Sequence, residues 1–407
     1  MSAATNKGNR DVAAPSQDLA LRPDEAWPFY AEDEVEAAAR VLRSGKVNQW
    51  TGPDVFAFQD ACTERFGGGN GIALANGSLA LELALKAFNV GPGDEVVVTP
   101  RTFVASAFCA MLVGATPVFA DVDPDSGNIT PETIARVLTD RTKAIIPVHL
   151  GGWPADMPGI MALAAPRGIK VIEDCAQAQG AAIGGRTIGS FGDAAAFSFC
   201  QDKIITTGGE GGFLSIQDRK AWEWAWSFKD HGKSWEKVST PAVNPGMFRW
   251  LHDSVGTNWR LSGPQAAIGR AQLAKLDSWT AARTRNADSY TQALKDVRGL
   301  RVPTPRDGVT HAYYRHYFYI DAPEGEAERL RSEILRHATE AKIRLFSGSC
   351  SEVYREAAFA GLPEPDCPVA RALTGSSLAV EVHPTLRPDL TEQRAEALAG
   401  IIREVLG

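Results

Sequence analysis

Three stretches of the chain carry residue types that could act together. Lys203 lies between two apolar runs, 194–199 and 213–216, and Gly208-Gly209-Glu210-Gly211-Gly212 follows it. A strand, a lysine loop, a glycine turn and a second strand would set one amine at a strand end, where open α/β sheets form ligand crevices. A partly desolvated lysine there can lose its proton and attack a carbonyl carbon. On a surface hairpin the same residue would be an ordinary solvated lysine. Glu173 and Asp174 close another apolar run, 169–174. Two acids at a strand end require solvent or partners, and Asp174 could ligate a metal or face a protonated ring nitrogen. No histidine or second carboxylate cluster stands near them in sequence, which argues against a metal. Asn76-Gly77-Ser78 falls between an apolar run and a helix, 79–88. Such a helix start offers free N–H groups and the positive end of a dipole to a phosphate; Ser78 could equally be a plain N-cap.

A phosphate cradle, a strand-end carboxylate and a loop lysine are together what pyridoxal phosphate requires. The elements that must position them follow from periodicity. Helices are expected at 33–42 and 54–66. Strands at 71–75, 95–99, 117–120, 143–148 and 169–174 then alternate with helices at 79–88, 103–113, 130–138 and 157–165. Strands alternating with helices predict an open, largely parallel sheet, and unbroken apolar runs fit strands covered on both faces. Trp222, Trp224, Trp226, Trp235, Trp250 and Trp259 are read as aromatic packing. One long helix is expected over 262–293. From 302 onward a smaller α+β unit is expected, with a strand at 313–320 and helices at 326–342 and 390–406.

Composition narrows the partners. The chain has 407 residues, a formal net charge of −7 and no basic block, so nothing points to nucleic acid. No run approaches the ~18 apolar residues of a membrane span. Cys62, Cys109, Cys175, Cys200, Cys350 and Cys367 include no CxxC pair, which argues against zinc and for free thiols. Residues 1–22 are polar, without the apolar centre of a signal peptide, and are read as a disordered leader on a cytoplasmic protein. Residues 23–295 are assigned to a large cofactor-binding domain and 296–407 to a small C-terminal domain.

Six ordered strings carry a specific resemblance. NGSLAL at 76–81 is similar to SGTxAL, TPRTFVAS at 99–106 to PxxTFxAT, and EDCAQAQG at 173–180 to EDxAQAxG. FSFCQDK at 197–203 is similar to FSFxxxK, GEGG at 209–212 matches GEGG, and TNWRLSGPQAA at 257–267 is similar to GxNYRMxxxQAA. These are the motifs of the DegT/DnrJ/EryC1/StrS family of pyridoxal-phosphate sugar aminotransferases, which the chain resembles from about residue 23 to its end. The resemblance implies the α/β fold type I of aspartate aminotransferase: a large, mixed, mostly parallel seven-stranded sheet plus a small α+β domain. It implies Lys203 as the internal-aldimine lysine and proton carrier, and Asp174 as the partner of the pyridinium nitrogen. Phe103 would stack on the ring, Gln177 would bond its hydroxyl, and Gly77, Ser78, Leu79 and Ser198 would hold the phosphate.

Asn258 would reach that phosphate from the partner subunit of a homodimer with shared sites. Asn48, Thr51, His231, Lys233, Arg260, Tyr313 and His316 are candidate substrate contacts. The implied reaction passes an amino group from L-glutamate to a nucleotide-linked 4-keto-6-deoxyhexose or 3-keto sugar. A cyclitol ketone, or a dehydratase or regulatory protein on the same scaffold, is the alternative. Relatives with histidine in place of the lysine are dehydratases, so Lys203 argues for transamination. Cys200-Gln201-Asp202 departs from the usual His/Tyr-Pro-x string, Gly208-Gly209 lengthens the loop by one glycine, and Trp259 replaces a common tyrosine.

Overall fold

Apolar runs that can be covered on both faces become the strands of a central sheet. The structure, a computed structural model, describes residues 19–241 and 247–407. The expected disordered leader falls mainly on residues 1–18, outside the described residues.

Helices α1 (Glu32–Ser44) and α2 (Asp54–Arg65) precede β1 (Asn70–Leu74). Then α3 (Gly77–Ala87), β2 (Glu95–Val98), α4 (Ala105–Leu112), β3 (Thr116–Phe119), α5 (Pro131–Ala135), β4 (Thr142–Ile146), α6 (Met157–Ala164) and β5 (Lys170–Asp174) alternate. A small hairpin, β6 (Ala182–Ile183) and β7 (Arg186–Thr187), leads to β8 (Ala194–Ser198) and β9 (Gly212–Ile216), which flank the Lys203 loop. The seven-stranded sheet has the order β1-β9-β8-β5-β4-β2-β3. Six of its strands run the same way, and β9 runs antiparallel to both β1 and β8. It can do so because a loop, not a helical crossover, joins it to β8. Ser198 thereby pairs with Gly212, and the two ends of the Lys203 loop leave the sheet side by side. Helix α3, apolar on most faces, packs on β8 and β9 and buries Leu81, Leu83 and Leu85.

Beyond β9 come α7 (Arg219–Phe228), α8 (Trp235–Ser239), α9 (Gly263–Leu273) and α10 (Leu276–Leu294). The single helix expected over 262–293 is thus two. The break at Ala274–Lys275 carries neither glycine nor proline. It is held where Lys275 Nζ reaches Asp33 Oδ1 and Glu34 Oε1 of α1 at 2.7 and 2.9 Å. The tryptophans do pack together: Trp235 meets Trp222 and Trp226 edge-on, with centroids 4.9 and 4.8 Å apart. Trp224 and Trp250 lie exposed, and meet Phe228 and Phe248 rather than the other tryptophans.

The rest of the chain holds β10 (Leu300–Arg301), β11 (Val309–Thr310), β12 (His316–Ile320), α11 (Glu324–Glu340), β13 (Leu345–Phe346), α12 (Pro368–Ser376), β14 (Ser377–Val380) and α13 (Pro388–Leu406). Strands β10-β12-β14-β13 form an antiparallel sheet, and β11 pairs with β6 of the hairpin beside the large sheet. Strand β12 starts at His316 rather than Tyr313 because Tyr313 has φ +48°, a left-handed conformation that ends extended chain. One hydrophobic core surrounds the large sheet, and a second lies among α10, α11, α13 and the small sheet. Helix α10 passes from the first, at Leu276, into the second, at Ala287.

Candidate active site

The carboxyl ends of β5 and β8 and the start of α3 open on one cavity of about 460 Å³. Gly77, Ser78, Phe103, Asp174, Gln177, Ser198 and Lys203 all line it.

Alternation along β5 sends its two terminal acids to opposite faces. Glu173 is structural: its carboxylate accepts the N–H groups of Gly189, Phe191 and Gly192 and meets His149 Nε2 at 3.2 Å. Asp174 faces the cavity. Its Oδ2 accepts the Ser106 hydroxyl at 2.8 Å and its Oδ1 the Ala176 N–H at 3.1 Å. Thr102 Oγ1 lies 2.8 Å from Ser106 Oγ and extends the chain of bonds. Burial pushes the Asp174 carboxyl above its ordinary range, against the opposing pull of Ser106, the Ala176 N–H, Lys203 and His149. A buried carboxylate in this position gains from a cationic neighbour.

The cap of α3 is Asn76, not Ser78: Asn76 Oδ1 accepts the Leu79 N–H at 3.0 Å. Leu79, implied as a phosphate holder, therefore has its N–H committed, and it does not line the cavity. Gly77 and Ser78 precede any intrahelical acceptor and do line it. Glycine is required at two points here. A Cβ on Gly77 would stand 2.7 Å from Ser198 Cβ, and one on Gly212 would stand 2.2 Å from the Asn76 carbonyl oxygen. Backbone therefore closes around this end of the cavity, as a phosphate cradle needs.

Lys203 is held by its main chain. Its N–H donates to the Cys200 carbonyl at 3.1 Å, and its carbonyl accepts Trp27 Nε1 at 3.1 Å. Its Nζ lies 3.6 Å from Asp202 Oδ1 and 5.1 Å from the Tyr314 ring centroid. Gln177 Oε1 accepts the Gly151 N–H at 2.7 Å. Phe103 is 69% exposed at the cavity wall, a free aromatic face for a planar ligand.

The substrate candidates divide into two groups, neither of which lines this cavity. Arg260 Nη1 and Lys233 Nζ meet Asp230 Oδ1 at 2.6 and 3.0 Å. Trp50 Nε1 donates to Asp230 Oδ2 at 2.9 Å, and Lys233 lies over the Trp50 ring. Asn48 and Thr51 are exposed on either side of Trp50. His231, also exposed, follows Asp230, and Asn258 pairs with Asp230 as an isolated bridge. Tyr313 and His316 form the second group, and both are buried away from the cavity. Tyr313 stacks on His311, and His316 Nε2 lies 3.1 Å from Thr291 Oγ1. Burial drops His316 to about 4, so its imidazole is a neutral core group. The tyrosine at the cavity is its neighbour, Tyr314, joined there by Thr102, Ser106, Asp202, Glu210 and Ser349. Ser106 and Asp202 stand inside the matched strings. Nothing in the sequence marks Tyr314 or Ser349, which come from distant chain.

An amine, a buried carboxylate, a free aromatic face and a glycine-closed helix start fit pyridoxal phosphate. With the seven-stranded sheet they define a pyridoxal-phosphate-dependent transferase of the aspartate aminotransferase type. The chain belongs to the DegT/DnrJ/EryC1/StrS aminotransferase family, whose profile matches residues 28–399. An aminotransferase of known structure from Psychrobacter cryohalolentis is 47% identical to it, with a TM-score of 0.90 over 94% of this chain and 99% of that one. DesV of S. venezuelae, solved in complex with a ketimine intermediate, is 31% identical, with a TM-score of 0.80 over 91% and 93%. UDP-N-acetyl-3-dehydro-alpha-D-glucosamine 3-aminotransferase of Acidithiobacillus ferrooxidans is 38% identical over 337 residues, 83% of this chain and 84% of the relative.

Proposed function

We propose that this pyridoxal-phosphate-dependent sugar aminotransferase takes its amino group from L-glutamate and delivers it to the ketone of a nucleotide-linked sugar, a 3-keto sugar or a 4-keto-6-deoxyhexose. Amino-sugar or polysaccharide biosynthesis is the setting. The observation that carries the reading is the convergence of Lys203, Asp174 and the start of α3 on one cavity. The name of the Acidithiobacillus relative, a 3-aminotransferase of a UDP-linked 3-dehydro sugar, supports the substrate class.

Pyridoxal phosphate, when bound, supplies an aldehyde for amine exchange and an electron-withdrawing ring. The chain's own residues do the rest. Lys203 Nζ is the amine that would hold the aldehyde carbon, and as a free amine it would carry the proton taken from the donor's α-carbon. Asp174, fixed by Ser106 and Ala176, keeps a proton on the ring nitrogen. Gly77, Ser78 and Ser198 would hold the phosphate, Phe103 would cover the ring face, and Gln177 would bond the ring hydroxyl.

The same reading makes the working unit a homodimer in which Asn258 of the partner subunit completes the phosphate site. Two facts support it. Asn258 does not line the cavity of its own chain. Nearby, Met247, Phe248, Trp250 and Val255 are all at least 69% exposed, an apolar surface of the kind that marks an interface. Among the described residues no helix is long and apolar enough to cross a membrane. Six free cysteines support a reducing, cytoplasmic setting.

The test is spectroscopic and chemical. The visible band of the cofactor-loaded protein should be lost on adding glutamate and return on adding a keto-sugar nucleotide, with an amino sugar of matching mass as product. A deoxygenated sugar with free ammonia would establish a dehydratase instead. A spectrum unmoved by glutamate would remove glutamate as donor.

A further inference from the structure

Cys200-Gln201-Asp202, the string that departs from the family pattern, carries a feature the proposed reaction has not used. We propose that Asp202, oriented by Tyr314, is a positioning residue that holds the Lys203 amine as an ion pair whenever no carbonyl carbon engages it. The inference rests on the reading of Lys203 as the reacting amine and adds a resting place for that amine.

The amine has an anion and an aromatic face beside it. Lys203 Nζ stands 3.6 Å from Asp202 Oδ1. The Tyr314 hydroxyl donates to Asp202 Oδ2, the other oxygen of the same carboxylate. The Tyr314 ring lies under the amine, 5.1 Å from Nζ to centroid, so one side chain both orients the anion and offers its π face to the cation. The Lys203 backbone is tied at both ends, to Cys200 and to Trp27. Asp202 itself lines the cavity, so the amine can reach either its carboxylate or a bound carbonyl carbon without moving the loop.

A partner is needed because the Lys203 side chain is only 15% exposed, and an ammonium with so little water must be paired. The other acids at the cavity are engaged differently. Asp174 is bonded to Ser106 and Ala176, and Glu210 Oε1 faces Cys200 Sγ at 3.9 Å. Arg315, the cation beside Tyr314, is paired with Glu381 at 3.0 Å. Burial alone would raise the Asp202 carboxyl, but Lys203, the Tyr314 hydroxyl and Arg315 outweigh it and hold it below its ordinary value. Asp202 is thus an anion at neutral pH. The ionisable groups that bear on the amine are Asp202, Glu210 and Cys200 of its own loop, Asp174 of β5, and Tyr314 and Arg315 from the chain before β12.

The test measures capture rather than turnover. Full-length protein freed of cofactor is mixed with pyridoxal phosphate from about pH 6 to about pH 10. The adduct is trapped with cyanoborohydride and quantified on the Lys203 peptide by mass. An anion at this distance favours the ammonium, so Asp202→Asn should lower the midpoint of capture by about 1 pH unit. Tyr314→Phe should move it the same way by less, and Asp202→Glu should restore it. Wild-type midpoints in both Asp202→Asn and Tyr314→Phe would overturn the proposal. If Asp202→Asn fails to fold by circular dichroism, Tyr314→Phe, which loses one oxygen, decides alone. Lys203→Ala separates the two readings. Adduct elsewhere in the cavity of that variant would remove Lys203 as the reacting amine, whatever Asp202 does.

Discussion

Asp174 is the residue whose surroundings say most about its task. It sits at the end of a buried strand with a hydroxyl on one oxygen and an N–H on the other, and burial raises its carboxyl. A carboxylate so fixed has one use left, which is to face a cation entering the cavity. Asp174→Asn keeps the shape of the side chain and an oxygen for the Ala176 N–H, with Nδ2 now donating to Ser106 Oγ in place of accepting from it, but it removes the charge that would keep the ring nitrogen protonated. Steady-state kinetics with glutamate should show kcat lower by about 10²–10⁴-fold, with the affinity for pyridoxal phosphate far less changed. Equal losses in affinity and kcat would make Asp174 a binding residue instead. At this scale the sequence reveals residues whose chemistry is local. Lys203, Asp174 and Gly77-Ser78 each sit at a strand end or helix start that periodicity marks. Tyr314 was not legible, because its place at the cavity depends on how β11 and β12 are carried past the large sheet. Tyr313 and His316 lie away from the cavity for the same reason: Tyr313 has φ +48°, and its neighbour Tyr314 is the one that lines the cavity.

Elements were legible where pattern and burial coincide. The strands of the large sheet stand within a residue or two of their expected places, since each is an apolar run long enough for one buried strand. What escaped were the two-residue strands β10, β11 and β13 and the hairpin β6–β7, too short for any period to register, the elements α7, α8, α12 and β14, and the α9–α10 break, held by Lys275 on α1. The N-terminal segment is another tertiary construction. Glu25 is fully buried, and Arg394 of α13 grips it with Nη1 and Nη2, each at 2.7 Å, while Nε bonds the Leu19 carbonyl. Burial would raise the Glu25 carboxyl, yet Arg394 and the N–H groups of Arg22 and Arg387 bring it down from 4.5 to about 2. The folded value is the lower one, so the contribution is complete above 4.5 and disappears as the pH falls through about 2. Arg394→Met leaves a buried carboxylate without its cation and should cost about 3–5 kcal/mol at neutral pH, read by urea unfolding. Between pH 4.5 and 2 the wild type should lose stability that the variant no longer has. Parallel curves for the two proteins would mean that the pair contributes nothing specific.

At the scale of the whole molecule, the proposed dimer would draw on two groups of residues, of which only the first lines the cavity. The first includes Lys203 and Asp174. The other gathers Asn258, Arg260, Lys233 and Trp50 around Asp230, with exposed Phe248 and Trp250 nearby. If a twofold dimer brings the second group to the partner's cavity, symmetry makes the contact occur twice, once at each site. This arrangement can be tested without a structure of the dimer. Lys203→Ala and Asn258→Ala should each be nearly inactive alone, the first for want of the amine, the second for want of a phosphate contact. Unfolded together and refolded as an equal mixture, half of the dimers pair one chain of each kind. In such a hybrid one site takes Lys203 from the Asn258→Ala chain and Asn258 from the Lys203→Ala chain, and is complete; the other site lacks both. One site in two, in half of the dimers, predicts recovery of about a quarter of wild-type turnover. If both residues serve a site within one chain, every chain in the mixture stays defective and no activity returns. The outcome therefore turns only on whether Lys203 and Asn258 act across the interface.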